Sequence, residues 1–416
     1  MPARLLCLSN GHGEDAIAVR VLAQLQARSP QLEVAALPLV GGGSAYERAR
    51  VPLVGPVQPL PSGGFIYMDG RQLWRDLRGG LAQLTWAQWR AVRRWRKGGG
   101  RVLAVGDIVP LLMAWLSGLP FAFVGTAKSD YYWRDEAGWL PQTSRWERWM
   151  GSVYLPWERW LMQGRTCRAV FPRDSLTARR LQHYKIDALD LGNPMVDAIA
   201  PEFAIVSDSE DRALRVLLLP GSRSPEAEAN WRQLLDCAMA VAAKRTQQHL
   251  CFLAAIAPAL DRSPFREDVL AAGWGAVEDL DAQTDLPFCD PQGELYRRGN
   301  ALLVLTQQAY GSCLTAADVA IAMAGTATEQ FVGLGKPAIA LPGRGPQFTY
   351  AFAEAQTRLL GCSMILADSP ESVARRLQDL LQDPDRLQLA AENGQRRLGV
   401  PGADDRIAAA LLDCLL

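Results

Sequence analysis

Short apolar runs alternate with stretches of helical periodicity along the first half of the chain. Each run is four to six residues long and nearly free of polar residues, which is typical of strands buried on both faces. A helical pattern at residues 14–27 follows the first run. The runs that we predict as strands are residues 4–8, 32–37, 102–105, 121–124 and 169–172.

The same alternation restarts in the second half, after a break at Gly192-Asn193-Pro194. Residues 200–212 are polar and acidic, and we predict the linker between two domains there. A helix is predicted at residues 231–246, and the last forty residues carry leucines at helical spacing. The strands predicted in this half are residues 216–219, 250–255, 301–305, 319–322 and 337–341.

Apolar strands separated by helices predict a parallel sheet with helices on both faces. The pattern occurs twice, and 416 residues suit two domains of about 200 residues each. We therefore expect an α/β protein with two Rossmann-like, doubly wound domains facing a cleft. The predicted ranges are 1–199 for the N-terminal domain, 213–385 for the C-terminal domain and 386–416 for helices that pack back on the first domain.

The composition is that of an ordinary globular protein. Apolar residues make up 49%, and 44 basic residues balance 44 acidic ones, so we expect no nucleic-acid partner. The eight cysteines and three histidines are not at the spacing of a zinc site, so we expect no metal. The N-terminus has no signal-peptide pattern, and Asp107 and Pro110 interrupt the most apolar window. These features predict a cytoplasmic protein.

A loop of small residues, Gly325-Thr326-Ala327-Thr328-Glu329, follows the strand predicted at 319–322 and opens a helix. The unpaired N–H groups and positive dipole of a helix N-terminus suit a diphosphate, and Thr326 and Thr328 add hydroxyl donors. Glu329 is placed to accept the hydroxyls of a ribose. An ordinary helix start with an acid in its first turn gives the same pattern.

Two further loops follow strands of the same domain. Gly221-Ser222-Arg223 comes after the strand at 216–219, where glycine permits close approach of a ligand and arginine pairs with phosphate oxygens. Gln347 lies in the loop after the last predicted strand, where its amide suits the hydroxyls of a sugar. Each loop also fits a surface turn with no ligand.

The loop after the first strand holds His12 between two glycines. A neutral imidazole at a strand-to-helix turn is suited to take the proton of an attacking hydroxyl, so we predict His12 as a general base. Asp15, in the same loop, and Asp107, after the strand at 102–105, are candidates to orient it or to contact the acceptor. Both aspartates also suit the N-cap of a helix.

Taken together, these motifs resemble lipid-A-disaccharide synthase, a glycosyltransferase of the GT-B type. The matching segments cover most of residues 100–340 in the family's order. They are Gly192-Asn193-Pro194-Met195-Val196-Asp197, Leu218-Leu219-Pro220-Gly221-Ser222-Arg223 with Glu226, Ala316-Ala317-Asp318, and Gly325-Thr326-Ala327-Thr328-Glu329 with Gly335-Lys336-Pro337. The resemblance implies a GT-B fold and an inverting transfer of a GlcNAc-like hexosyl group from a UDP-sugar.

The N-terminal loop departs from that family. The synthase has a Gly-Glu-Ala-Ser-Gly-Asp type of loop, of which this chain retains only the terminal aspartate, Asp15. The glycine-flanked His12 is more similar to the first loop of peptidoglycan and galactolipid glycosyltransferases, where the histidine serves as base. The chain thus resembles a cyanobacterial-type branch related to the synthase, with its acceptor left open.

Eleven of the thirteen tryptophans lie between Trp74 and Trp160, and residues 71–101 hold nine basic residues and one acid. Basic helices with tryptophan on one side bind anionic membrane surfaces, and aromatic side chains prefer the headgroup level. We therefore expect residues 71–160 to contact the inner face of a membrane peripherally and to receive a lipid acceptor. A large aromatic core beneath solvated arginines is the alternative.

The sequence thus predicts a UDP-sugar-dependent hexosyltransferase with a lipid-type acceptor and no cofactor besides the co-substrate. Two other functions stay open. A UDP-sugar 2-epimerase uses the same fold without a second substrate, and a non-catalytic binding protein can retain the nucleotide-sugar site.

Overall fold

The structure, a computed structural model, describes residues 3–58, 81–206, 213–277 and 286–416. The chain forms two compact units. One comprises Met1–Asp197 together with Gly399–Leu416, and the other comprises Ala198–Leu398. The C-terminal helices, which the sequence groups at 386–416, are therefore divided between the two units.

The N-terminal unit is built on a parallel sheet. Its strands are β1 (Arg4–Ser9), β2 (Glu33–Pro38), β3 (Arg101–Gly106), β4 (Phe121–Gly125), β5 (Arg134–Asp135), β6 (Gly138–Trp139) and β7 (Cys167–Pro172). Five of them pair in the order β2-β1-β3-β4-β7, and β5 and β6 form a separate antiparallel hairpin. The five strands are nearly continuous apolar runs because both faces of the sheet are covered.

Helices cover the two faces of this sheet. They are α1 (His12–Arg28), α2 (Ser44–Arg48), α3 (Leu81–Lys97), α4 (Ile108–Ser117), α5 (Arg145–Met150), α6 (Pro156–Met162), α7 (Ser175–His183) and the C-terminal helix (Ala403–Cys414). Leu6 and Leu8 of β1 pack with α3, α4 and α6. Leu5 and Cys7 alternate with them and pack with α1 and the C-terminal helix on the other face.

The C-terminal unit has a larger sheet. Its strands are β8 (Leu214–Leu219), β9 (Leu250–Ala255), β10 (Gly275–Ala276), β11 (Glu294–Arg298), β12 (Ala301–Thr306), β13 (Val319–Ala322), β14 (Ala338–Ala340) and β15 (Met364–Leu366). They pair in the order β10-β11-β12-β9-β8-β13-β14-β15. Pairing is parallel from β12 to β15, and β10 and β11 add an antiparallel edge.

The helices of this unit are α8 (Glu226–Lys244), α9 (Ser263–Ala271), α10 (Tyr310–Ala316), α11 (Thr326–Gly333), α12 (Tyr350–Leu360), α13 (Pro370–Leu381) and α14 (Pro384–Leu398). Hydroxyl side chains cap two of them. Thr349 accepts a hydrogen bond from the Phe352 N–H at the start of α12, and Ser369 accepts one from the Ser372 N–H at the start of α13. Such caps pair backbone donors that the helix itself leaves unpaired.

The segment around Asn193, which resembles a domain-junction motif, fastens the C-terminal helix to the N-terminal unit. The Asp197 carboxylate accepts hydrogen bonds from the Gly402 N–H over 2.6 Å and the Asp404 N–H over 2.8 Å. Arg406 of the C-terminal helix donates to the Leu191 carbonyl over 3.0 Å. The aspartate of this motif therefore anchors a helix terminus.

The described part of the predicted linker, residues 200–206, is hydrogen-bonded within the C-terminal unit. The Glu202 carboxylate accepts from the N–H groups of Gly311 and Ser312 over 3.0 and 2.9 Å. The Phe203 N–H donates to the Ser312 hydroxyl over 2.9 Å. The remaining linker residues, 207–212, lie outside the described residues.

Candidate functional site

Three loops of the N-terminal unit meet at the carboxyl edge of its sheet, where such folds bind ligands. They follow β1, β3 and β4, which are neighbours in the sheet, and they begin at Asn10, Asp107 and Thr126. Gly106 allows their close approach, because its φ is +133° and a Cβ there would collide with Asn10 Oδ1. The structure therefore brings the first two predicted loops together.

His12 is the first residue of α1, and its side chain is exposed. The loop after β2 also borders the ring, because a Cβ on Gly41 would lie 3.9 Å from His12 Cε1. The imidazole thus lies at the surface between two glycine-containing loops. That position suits contact with a substrate hydroxyl.

Asp15 is fully buried behind His12. The Ser9 hydroxyl donates to Asp15 Oδ1 over 2.6 Å, and Tyr46 Oη lies 2.6 Å from the same serine oxygen. Burial raises the pKa of Asp15 to about 6, against the opposing effects of the Ser9 hydrogen bond and the charge of His12. Among the hydrogen bonds of the described residues, none joins Asp15 to His12, so the two interact through their charges.

Asp107 is the N-cap of α4, one of the two roles that its sequence position suggests. Its Oδ1 accepts from the Val109 N–H over 2.8 Å, and the Asn10 side chain donates to the same carboxylate. Burial raises the pKa of Asp107, whereas the hydrogen bonds and the charge of Lys128 oppose that shift. The carboxylate is therefore fixed at the sheet edge, and within the described chain its hydrogen bonds do not include His12.

Two further polar pairs at this edge were not among the predicted site residues. The Thr126 hydroxyl donates to Glu14 Oε1 over 3.2 Å, and Lys128 Nζ lies 2.6 Å from Glu158 Oε2. Burial raises the pKa of Glu14 even though hydrogen bonds stabilise its charged form. Thr126 and Lys128 lie in the loop directly after β4. Asp107 was predicted because it follows a strand, and the same criterion would have identified Thr126 and Lys128.

In the C-terminal unit, the predicted loops after β8 and β13 are neighbours. The Met323 N–H donates to the Leu219 carbonyl over 2.8 Å. A Cβ on Gly221 would lie 3.4 Å from the Met323 carbonyl oxygen. Ser222 and Arg223, the next residues, have exposed side chains. An exposed arginine thus follows a turn that lies against the segment leading into α11.

Helix α11 begins at Thr326, directly after Gly325. In this described helix no side chain caps the N-terminus, which leaves backbone donors for another acceptor. The Thr326 side chain is exposed and Glu329 is buried, with 8% of its surface accessible. The helix start therefore offers N–H groups and one hydroxyl to an anion.

The structure gives the Thr328 hydroxyl a different partner from the predicted one. The side chain is fully buried, and its Oγ1 donates to the Ala324 carbonyl over 2.5 Å. A threonine inside the first turn satisfies a preceding backbone carbonyl in this way. Its hydroxyl is therefore committed to the fold, and its N–H donates to the Gly325 carbonyl over 3.1 Å, so the first turn offers an anion the N–H groups that precede Thr328.

Gln347 has an exposed side chain in a loop that Glu226 anchors. The Glu226 carboxylate, which lies at the start of α8, accepts from the Phe348 N–H over 2.7 Å and the Gln347 N–H over 3.2 Å. A Cβ on Gly345 would overlap the same carboxyl group, so glycine permits the close approach. The sequence identifies Glu226 as part of a family motif and does not predict that it anchors this loop.

Helix α12 joins this loop to the start of α11. The Phe348 and Phe352 ring centres are 5.5 Å apart, and a Cβ on Gly325 would lie 3.3 Å from Phe352 Cζ. Gln356 Nε2 donates to the Gly325 carbonyl over 2.9 Å. The loops after β8, β13 and β14 therefore form one continuous surface at the carboxyl edge of this sheet.

Two other residues of the recognised motifs have structural partners. Lys336 donates to the carbonyls of Leu314, Thr315 and Ala317 at the end of α10, where positive charge is favourable. Asp318 accepts from the Arg215 N–H over 2.9 Å. Lys336 and Asp318 therefore have structural roles, as hydrogen-bond partners of backbone groups within the C-terminal unit.

Three general features of the described chain bear on its chemistry. No three His, Cys, Asp or Glu side chains within the described ranges are arranged to hold a metal ion. No described helix combines the length and apolar character needed to cross a membrane. The eight cysteines, all of them in described segments, are free thiols.

No protein-family model and no curated protein matches the chain, whereas solved structures match it over its whole length. CalG4, the calicheamicin glycosyltransferase, is 15% identical with a TM-score of 0.59, and 100% of each chain is covered. MurG of Acinetobacter baumannii is 14% identical with a TM-score of 0.56, covering 99% of this chain and 100% of that one. The UDP-GlcNAc 2-epimerase of Neisseria meningitidis, solved with UDP-GlcNAc, is 13% identical with a TM-score of 0.56 and the same coverage.

A structural match over the whole chain at such low sequence identity establishes the fold and leaves the reaction open. The matched structures are GT-B proteins. The two units of this chain each contain a parallel α/β sheet with the Rossmann-like pattern. The fold class predicted from the sequence is thereby confirmed, and the chain has the GT-B fold.

Proposed function

We propose that this chain is an inverting glycosyltransferase that moves a GlcNAc-like hexosyl group from a UDP-sugar to a lipid-type acceptor, as in enzymes related to lipid-A-disaccharide synthase. The observation that carries the proposal is the surface formed by the loops after β8, β13 and β14. It combines an uncapped helix N-terminus with the exposed side chains of Arg223 and Gln347. These groups suit a diphosphate and a sugar.

The donor is placed along that surface. Its diphosphate lies at the first turn of α11, from Gly325 to Thr328, with Arg223 as a second contact. Its ribose lies at Glu329 and its hexose near Gln347. Because the positive end of the helix faces the departing UDP, negative charge that develops there is stabilised.

His12 supplies the base in the proposed reaction. As the acceptor oxygen forms its bond to C1 of the sugar, the imidazole takes the hydroxyl proton. The bond from C1 to the diphosphate oxygen breaks at the same time, and UDP leaves with the electron pair. Attack from the side opposite to UDP inverts the configuration at C1. Asp15 supports the charged imidazolium through its nearby negative charge.

A UDP-sugar 2-epimerase is the second candidate, because structures named as UDP-GlcNAc 2-epimerases match the fold of this chain with TM-scores of 0.55 and 0.56, close to those of the glycosyltransferases. Incubation with UDP-GlcNAc alone separates the two functions. An epimerase inverts C2 of the sugar without an acceptor, whereas a transferase releases UDP only when an acceptor is present. A non-catalytic binding protein would bind UDP and release none with any acceptor.

UDP and one UDP-sugar are expected to raise the unfolding midpoint of the chain. A ligand at about 100 times its Kd adds about 2.7 kcal/mol, which moves the midpoint of domains of this size by roughly 5–10 °C. The panel is UDP, UDP-GlcNAc, UDP-glucose and UDP-galactose, with GDP and dTDP as controls. A midpoint that no nucleotide shifts would contradict the donor site, and the proposed function with it.

The lipid acceptor is proposed from one face of the N-terminal unit. Helices α3, α4 and α6 pack against the same side of the sheet. The exposed apolar side chains of this helical layer and of α5 are Trp86, Leu112, Leu116, Trp146, Trp149, Trp157 and Trp160. The exposed basic side chains of α3 are Arg90, Arg93, Arg94, Arg96 and Lys97. Tryptophan beside arginine suits an anionic membrane surface.

The predicted aromatic surface is only partly exposed. Tyr131 and Tyr154 are buried in the core, and Trp133 and Trp139 are half-buried, so these four residues fit the alternative of an aromatic core. Residues 71–80, which belong to the predicted basic segment, lie outside the described residues. The membrane proposal therefore rests on the exposed tryptophans and the basic residues of α3.

Anionic vesicles are expected to carry the protein in a flotation assay at low salt. Replacing Trp149, Trp157 and Trp160 together by serine should reduce the floated fraction several-fold, because these rings are 78%, 51% and 58% exposed and prefer the headgroup level. Tyr350→Ser, which alters an exposed aromatic residue of the other unit, is the control. Wild-type protein that stays unbound would contradict the membrane contact.

A further inference from the structure

Two arginines of the N-terminal unit contact Tyr184, and a third lies beside them. The guanidinium carbon of Arg159 lies 3.9 Å from the centre of the Tyr184 ring, and that of Arg180 lies 5.0 Å from it. Arg180 Nη2 also donates to Tyr184 Oη over 3.0 Å. Arg134 lies beside them, because it follows Asp130, whose N–H donates over 2.9 Å to the hydroxyl of Thr177 on α7, the helix that carries Arg180, and because the charge of Arg180 acts on it. Three positive charges are thus concentrated on one part of the surface.

No carboxylate of the described chain pairs with these arginines. The ion pairs among described residues include none of Arg134, Arg159 and Arg180. Asp130, an acid that acts on Arg134 through its charge, is fully buried and accepts from the Ser152 hydroxyl over 2.9 Å. Burial raises the pKa of Asp130 to about 7. Asp130 is therefore only a partial counter-charge for three half-buried positive groups, and an added anion would stabilise them.

Part of the hydrogen-bonding capacity of two arginines is used by the protein. Arg159 Nη1 donates to the Met150 carbonyl over 2.9 Å, and Arg180 Nε donates to the Gly151 carbonyl over 2.7 Å. These carbonyls end helix α5, where the helix dipole favours positive charge. Because a guanidinium has five N–H donors, each of the two arginines retains donors for another acceptor.

Arg134 has an unsatisfied guanidinium N–H in the described part of the chain. Its guanidinium stacks on Trp139, with 3.7 Å between the guanidinium carbon and the ring centre. Its Nε is buried and has no hydrogen-bond partner in the described structure. Stacking occupies the face of the guanidinium and leaves its N–H edge for an acceptor.

We propose that Arg134, Arg159 and Arg180 form a binding site for a phosphate group, carried by a lipid headgroup or by a soluble phosphorylated molecule. Planar guanidinium groups contact two phosphate oxygens at once. Trp146 and Trp149 are exposed on α5, the helix whose terminal carbonyls two of these arginines contact. The site lies in the N-terminal unit and does not depend on the proposed transferase activity.

Calorimetric titration of the full chain with inorganic phosphate tests the site. We expect Arg134→Gln to weaken phosphate binding at least tenfold, because it removes one of three guanidinium groups. Arg134→Lys, which keeps the charge and loses the planar group, should restore only part of the affinity. Arg179→Gln removes an exposed charge next to Arg180 on the same helix, and this control should bind phosphate as the wild type does.

Loss of affinity in Arg134→Gln with unchanged affinity in Arg179→Gln supports the site. Equal affinity in the two variants, or no saturable phosphate binding by the wild type, overturns it. Flotation on phosphatidic acid vesicles, with phosphatidylcholine vesicles as control, then identifies the source of the phosphate. If Arg134→Gln floats less than Arg179→Gln, the site takes a lipid headgroup. If Arg134→Gln and Arg179→Gln float alike although Arg134→Gln binds phosphate more weakly, the site takes a soluble ligand.

Discussion

His12→Ala is expected to lower turnover by about 10²–10⁴-fold and to leave the affinity for UDP unchanged. The side chain is exposed at the start of α1, so its removal should have little effect on folding. In the proposed reaction, the imidazole accepts a proton only as the acceptor oxygen attacks. Its loss therefore affects the transition state and not the bound donor. UDP release in mixed micelles with lipid acceptors gives the turnover, and calorimetry gives the affinity.

His249→Ala is the matched control, because His249 is also exposed but belongs to the C-terminal unit. A loss of UDP affinity in His12→Ala with intact turnover would contradict the base assignment. Equal turnover in His12→Ala and His249→Ala would mean that another group at the carboxyl edge of the N-terminal sheet acts as the base. Glu14 is then the next candidate, because its pKa is raised by burial and the Thr126 hydroxyl fixes its position.

The strands were predictable where both faces of a sheet are covered. β9 and β13 have the predicted bounds, and β1 is one residue longer than its predicted range. β11 and β15 were not predicted. β11 lies near an antiparallel edge and carries charged residues, and β15 has only three residues. β11 therefore lacks the continuous apolar run by which a buried parallel strand is recognised, and β15 is apolar but too short to be recognised in this way.

The candidate site was predictable as a set of loops and less so as a set of side chains. Parallel strands end at one edge of a sheet, which was sufficient to select the loops of Asp107, Gly221 and Gly325. The same rule does not identify the partner of each polar group. The Thr328 hydroxyl bonds to a preceding carbonyl, and Glu226 anchors a loop more than a hundred residues away. The first contact is a local hydrogen bond to the carbonyl four residues earlier, which competes with ligand binding for the hydroxyl. The second depends on tertiary geometry that the local pattern leaves open.

Glu226→Gln is expected to weaken the binding of the UDP-sugar about 5–100-fold and to leave the binding of UDP unchanged. Glu226 Oε1 accepts from the N–H groups of Gln347 and Phe348, and Oε2 also lies 3.2 Å from the Gln347 nitrogen. Glutamine replaces one of these oxygens by an NH2 group, which then opposes an N–H of the loop. An unpaired N–H costs about 1–3 kcal/mol. The displaced loop carries Gln347, the proposed contact of the sugar. The start of α11, the proposed diphosphate site, has its own anchor in Gln356.

Arg232→Gln is the control for this variant. Arg232 lies on α8, the helix that Glu226 begins, and the substitution breaks only its ion pair with Asp268 at the surface. It should change neither affinity. The Kd values of UDP and of the selected UDP-sugar are measured by calorimetry for both variants, together with the unfolding midpoint. Equal losses for the two ligands in Glu226→Gln would mean that Glu226 supports the whole unit and not the sugar contact. Because both ligands contain the nucleotide, the ratio of their affinities cancels any general loss of folded protein and reports on the position of Gln347.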